Sequence, residues 1–175
     1  MDKRSRKIIV VTHCILNQNA RLDDCAIFKG AIPGLVKIMM SRGYGIFQIP
    51  CPEMAAIDFK RSKRSKKRPY IRGILELPHY RKKCREVAEY TAVQIKDYLK
   101  NGFYIPAVLG KDGSPACGVT GTSVKGLQVK GAGVFIEELC KMFVKYKIKT
   151  PIIGMSDHSP EELKKITGWL KKNLK

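Results

Sequence analysis

Cys14, Cys51 and Cys117 each follow a short apolar run of the kind that forms a β-strand: Ile8-Ile9-Val10-Val11, Gly45-Ile46-Phe47-Gln48-Ile49 and Ile105-Pro106-Ala107-Val108-Leu109. Parallel strands of an open α/β sheet present their carboxyl ends to one edge, where ligands bind, so thiols far apart in sequence can meet in one crevice. Three thiolates without a fourth protein ligand suit an iron–sulfur cluster with one exposed iron, or a zinc ion with one labile position. Local chemistry sets these cysteines apart. Cys51 lies between Pro50 and Pro52, which remove two backbone donors and restrict the direction of the thiol. Cys117 follows the turn-like Gly113-Ser114-Pro115-Ala116, and Gly118 after it admits a close approach to the backbone. No compact Cys-x-x-Cys pattern of the zinc-ribbon or ferredoxin type occurs.

Other reactive groups gather near these positions. Glu53, two residues after Cys51, is a candidate general base, and Ser114, three residues before Cys117, can donate a hydrogen bond or relay a proton. Asp157 and His158 follow a fourth apolar run and reach the same edge, though Asp157 reads first as a helix cap or turn residue. His13 is either a partner of the adjacent cysteine or a polar residue at a strand end. Cys84 and Cys140 lie on apolar helical faces and are expected in the core, where free cysteine behaves as a small hydrophobe. Cys25 precedes the first long helix, in a loop able to approach Cys14.

The elements that must position these groups alternate between two periodicities. Strands are expected at Lys7–Thr12, Tyr44–Pro50, Phe103–Gly110 and Pro151–Ser156. A helix begins near Pro33 and stops at Gly43; another runs from His79 to Leu99 and stops at Asn101-Gly102; a third spans about Gly133 to Tyr146. The last starts at Ser159, where Ser159-Pro160-Glu161-Glu162 combines a serine cap, an N1 proline and a reciprocating glutamate. This alternation predicts an α/β fold: a three-layer sandwich, with a mostly parallel sheet and helices on both faces. Two segments break the pattern. Gly118 to Gly133 carries five glycines and reads as a small hairpin near the sheet edge. Lys60 to Arg68 holds seven basic residues in nine and reads as a solvated loop, the centre of a basic mobile insert at about 58–72.

A chain of 175 residues that is 44% hydrophobic fits one domain spanning 1–175 and is too apolar for disorder. The charged Met1–Lys7 segment and the short apolar run behind it read as neither a signal peptide nor a membrane span, so a reducing cytoplasm is expected and disulfides are not. Lys and Arg total 34 against 15 Asp and Glu, a net charge of +19. Such an excess favours anionic partners, whether nucleic acid, nucleotide or a metal–sulfide cluster, although lysine-rich surfaces also occur in proteins that face high temperature.

The motifs together have a family resemblance. Thr12-His13-Cys14-Ile15-Leu16-Asn17 with Arg21 and Asp23, then Ile49-Pro50-Cys51-Pro52-Glu53, then Gly113-Ser114-Pro115-Ala116-Cys117-Gly118 resemble, in order, three motifs of the thiouracil desulfidase family. Lys130-Gly131-Ala132-Gly133-Val134 is similar to a glycine-rich stretch found downstream in that family. The resemblance implies a Rossmann-like fold and a [4Fe-4S] cluster on Cys14, Cys51 and Cys117, with one iron open to the substrate sulfur. It also implies catalytic roles for Glu53 and Ser114, with His13, Asn17, Arg21 and Asp23 as substrate-binding candidates. The implied reaction is hydrolytic removal of sulfur from a thiolated pyrimidine, as base, nucleoside or nucleotide, through sulfur coordination and attack by water activated at Glu53. Alternatives from another class are a non-catalytic sulfide carrier or cluster sensor, or an RNA-binding protein acting on thiolated tRNA. The chain departs from the family at Ala20, where another cysteine is usual, and at Met54-Ala55, where the family has a glycine pair.

Overall fold

The computed structural model describes residues 1–22, 25–61 and 70–174. Asp23 and most of the basic run Lys60–Arg68 lie outside the described residues. In chain order the elements are β1 (Ile8–Thr12), α1 (His13–Leu16), a 3-10 turn (Gln18–Ala20), α2 (Pro33–Ser41), β2 (Gly45–Ile49), α3 (Pro52–Ala56) and α4 (Ile71–Glu76). There follow α5 (Pro78–Lys100), β3 (Val108–Lys111), β4 (Gly121–Val124), β5 (Leu127–Lys130), α6 (Val134–Tyr146), β6 (Ile152–Met155) and α7 (Pro160–Asn173).

β1 is an unbroken apolar run ending in threonine and is buried along its whole length, as a central strand covered on both faces must be. It pairs in parallel with β2 on one side and β3 on the other, and β6 extends the sheet to the order β2-β1-β3-β6. Side chains alternate across this sheet. Ile8, Val10, Ile49 and Val108 face a core closed by α5 and α6, whereas Ile9, Val11 and Leu109 face one closed by α2 and α7. The result is the expected three-layer α/β sandwich. Strand order reverses between β1 and β3, so the crevice above their carboxyl ends is the topological switch point.

The third strand is shorter than the apolar run that foretold it. Tyr104 exchanges hydrogen bonds with Arg6 and Ile8, but Pro106 has no amide to donate, and the regular ladder resumes only at Val108. Gly118–Gly133 forms the expected hairpin, β4 against β5, with Lys125 and Gly126 both at positive φ in its two-residue turn. It stands outside the main sheet, fastened to the loop after β3: the Gly113 amide donates to Gly121 O at 2.9 Å, and Thr122 Oγ1 donates to Ser114 O at 3.1 Å. The last helix has the full capping box on Ser159.

Three expectations need correction. Cys140 is exposed, not buried; the apolar stripe of α6 is centred on Phe135, Leu139 and Phe143, and Cys140 lies beyond its margin. Arg61, expected in a solvated loop, is buried, and at the other end of the expected insert Ile71 opens α4. Asp157 is not the cap of α7, a role taken by Ser159, but a buried partner of two cations.

α5 and α6 are joined by charge as well as by apolar packing. Glu138 has no exposed surface and accepts from Arg81 at 2.8 Å, Arg85 at 2.8 Å and Lys141 at 2.7 Å. Burial alone would raise its carboxyl pKa; the donors from Lys141, Arg85 and Arg81 overcome that and hold it at about 2. Because the folded value is depressed, the stabilisation is complete above the ordinary 4.5 and is lost as pH falls toward 2. The partners are partly exposed, so the contribution is on the order of 2 kcal/mol. Glu138→Gln should therefore be less stable at pH 7 and lose less stability than the wild type on acidification, as urea unfolding at neutral and acid pH would read.

Candidate functional site

Each of the three cysteines is delivered to the switch point by a different strand. Cys14 sits in the single turn of α1 that follows β1; Cys51 is the N-cap of α3 directly after β2; Cys117 lies in the loop that leaves β3. They are close enough to act on one another. Burial first, then the charges of Cys51 and Cys14, push the Cys117 thiol well above its ordinary value. Burial and the neighbouring Glu53 raise Cys51 to about 11. Burial also raises Cys14, against the opposing charges of Arg21 and Lys111. With their pKa values raised these groups are thiols at neutral pH, and any metal that bound them would have to displace their protons.

The loop carrying Cys117 is fixed by backbone chemistry. Val134 N donates to Pro115 O, and Phe135 N and Ile136 N to Ala116 O, so the free amides at the start of α6 are spent on this loop. The fit is tight: a Cβ at Gly133 would collide with the Ala116 carbonyl, and one at Gly118 with the Gly121 carbonyl. The close approach at Gly118 is thus made by the chain itself. Asp112 holds the far side of the loop, accepting from the amides of Val119 at 2.7 Å, Thr120 at 2.9 Å and Gly121 at 3.3 Å.

Ser114 and Glu53 meet at this loop. Ser114 Oγ accepts from the amides of Ala116 at 3.2 Å and Cys117 at 2.9 Å. A hydroxyl has two acceptor sites and one proton, so both acceptors are used and the proton is left for Glu53 Oε1, 3.3 Å away. The other carboxylate oxygen of Glu53 accepts from Arg61 Nε at 3.2 Å. Glu53 is buried and faces Ser114 from the first turn of α3.

On the Cys14 side stands a second buried network. Arg21 donates to Asp157 through both terminal nitrogens, at 3.3 and 2.6 Å, and to Cys25 O at 3.1 Å. Lys111 Nζ lies 3.3 Å from the same carboxylate and donates to Asp112 O at 2.8 Å and His158 Nε2 at 3.1 Å. Gln18 Nε2 completes the set with bonds to Cys14 O at 2.9 Å and Asp157 at 3.4 Å. Two cations share one carboxylate, which leaves a positive wall beside Cys14. Burial, with Lys111 next, lowers His158; burial, with Arg61 next, lowers His13.

The remaining candidates have local roles. Asn17 caps the 3-10 turn through the Asn19 amide, and its side-chain nitrogen lies 3.5 Å from His13 Nε2. The Arg21 guanidinium is committed to Asp157 and the Cys25 carbonyl. Asp23 lies outside the described residues. Sequence reasoning missed Gln18, Arg61, Lys111 and Asp112. Lys111-Asp112-Gly113, a turn signal directly after a strand, was the available sign for two of them.

Among the described residues, no three His, Cys, Asp or Glu side chains close on one point as a single ion requires. One further observation bears on a sulfur-rich occupant. The Thr12 hydroxyl, buried at the carboxyl end of β1, has no hydrogen-bond partner among the described residues. An unmade bond of that kind costs about 1–3 kcal/mol, which a sulfide or thiolate acceptor would remove.

No family model matches the chain. An uncharacterized protein of Methanocaldococcus jannaschii is 26% identical over 145 residues, covering 83% of each chain. Among solved structures, a [4Fe-4S]-dependent thiouracil desulfidase, TudS, is similar with a TM-score of 0.53 and 19% identity, over 95% of this chain and 99% of that one. At that identity the similarity establishes a common fold.

Proposed function

We propose that this protein is an iron–sulfur-dependent desulfidase that removes sulfur from a thiolated pyrimidine, with a [4Fe-4S] cluster held by Cys14, Cys51 and Cys117. When bound, such a cluster supplies an open iron, a soft Lewis acid suited to a thiocarbonyl sulfur. The donor set fits it: three thiols from three strand ends whose charges act on one another, with an unpartnered buried hydroxyl at the carboxyl end of β1.

The observation that carries the reading is the Ser114–Glu53 hydrogen bond at the edge of the thiol trio. Three clustered thiols alone would serve a carrier or sensor equally well. A carboxylate oriented by a serine whose acceptors are already taken is what general-base chemistry needs. Glu53 takes a proton from a water that attacks the ring carbon. Ser114 holds the carboxylate in place and passes a proton toward the departing sulfur. Overall a thiocarbonyl becomes a carbonyl; water enters, hydrogen sulfide leaves, and no net oxidation occurs. The positive wall of Arg21 and Lys111, and the chain's excess of cations, suit an anionic substrate such as a thiolated nucleotide.

The test is anaerobic purification with iron and sulfide analysis, followed by sulfide-release assays on thiouracil, thiouridine monophosphate and thiolated tRNA. About four irons per chain and sulfide release from at least one substrate are expected. Full loading without release from any of them would make the protein a carrier or sensor, and zinc in place of iron would overturn the cluster.

A further inference from the structure

Arg61 comes from the most basic stretch of the chain, yet its side chain is only 2% exposed. Its backbone is in the left-handed region, at φ 42°, an uncommon conformation for a residue with a side chain. The strained turn carries the guanidinium inward. There Nε donates to Glu53 Oε2 at 3.2 Å, Nη1 to Phe59 O at 2.6 Å, and Nη2 to Ala20 O at 2.8 Å and Cys51 Sγ at 3.5 Å. One planar group therefore binds the carboxylate, a thiol of the trio and the turn that follows Cys14.

We infer that Arg61 is a positioning residue for the desulfidase reaction and a tuning residue for the metal centre, an inference that rests on the function proposed above. With Oε2 held by Arg61, the carboxylate cannot rotate, and Oε1 stays on Ser114. The same guanidinium places an N–H donor and a positive charge on the Cys51 sulfur, and hydrogen bonds to ligand sulfurs help set the potential of an iron–sulfur cluster. Lysine cannot substitute. An ammonium on a flexible stem lacks the fixed fork that reaches carboxylate, carbonyl and thiol at once.

The experiment compares the iron-loaded full-length wild type with Arg61→Met and Arg61→Lys, measuring iron content, the cluster midpoint potential by EPR-monitored titration, and kcat and KM for sulfide release. Iron content should remain near wild type in both variants. In Arg61→Met the potential should fall, since a donor and a charge that favour the reduced form are gone, and kcat should drop about 10²-fold with KM little changed. Arg61→Lys should recover part of the potential but little of kcat. An Arg61→Met protein with wild-type potential and kcat would overturn the inference, as would loss of fold or iron in both variants, which would make Arg61 a structural anchor. A loaded wild type that releases no sulfide defeats the proposed function, while the potentials of the variants still decide the effect of Arg61 on the metal centre. A wild type that binds no iron overturns both.

Discussion

Glu53→Gln should lower the rate of sulfide release by about 10²–10⁴-fold while iron content and cluster absorbance stay at the wild-type level. Glutamine keeps the size and one carbonyl oxygen of the residue but cannot take a proton from water. Ser114 retains an acceptor and Arg61 retains the carbonyls of Phe59 and Ala20, so the surroundings have reason to hold their shape. The substitution does leave the Arg61 charge without its carboxylate in a buried place, so unfolding should be followed alongside turnover. Unchanged turnover in a loaded, folded Glu53→Gln protein would remove Glu53 from the reaction and leave the thiol trio as a carrier site.

Asp157→Asn should be the most destabilising single change near the site, by about 3–5 kcal/mol, because it leaves Arg21 and Lys111 facing each other in a buried space without their shared anion. Burial would raise the Asp157 pKa, but the Arg21 hydrogen bonds and the Lys111 charge outweigh it and the folded value is lowered. Its contribution is therefore present above the ordinary 3.8 and is lost below it, as pH falls through the folded value. Urea unfolding at pH 7 should separate wild type from variant clearly, and the gap should narrow in strong acid. A variant as stable as the wild type at pH 7 would mean that the two cations find another counter-charge. Loss of the network should also disturb Cys14, whose carbonyl shares the Gln18 side chain with Asp157.

The scaffold was legible because its signals are local. Alternating periodicities mark strand and helix; Ser159-Pro160-Glu161-Glu162 spells a helix start; and the strand ends that carry Cys14, Cys51 and Cys117 follow from the apolar runs before them. Parallel topology then brings those ends to one edge without any contact having to be guessed. Buried charges give no such signal. In sequence Arg61 looks like its six basic neighbours, and only the folded chain sets it against Glu53, eight residues away, and Ala20, 41 residues away. Asp157 likewise resembles a cap until it is paired across 136 residues with Arg21. Cys140 fails for a subtler reason: its spacing from Ile136 is helical, but the buried stripe of α6 runs through Phe135, Leu139 and Phe143, and one step around the helix is enough to reach solvent.

The crossover from β1 and β2 to β3 has a consequence for how the protein is made. Glu53 and Ser114 are 61 residues apart, and the cations beside Cys14 wait for an aspartate that follows β6. A nascent chain threaded out as far as α3 carries two cysteines of the trio with no third beside them, and long-range pairings of this kind form slowly. The trio therefore cannot come together before β3 is made. The first two thiols stand without the third until β3 docks beside β1, and a synthesis that stalls before Cys117 yields a product unable to gather all three.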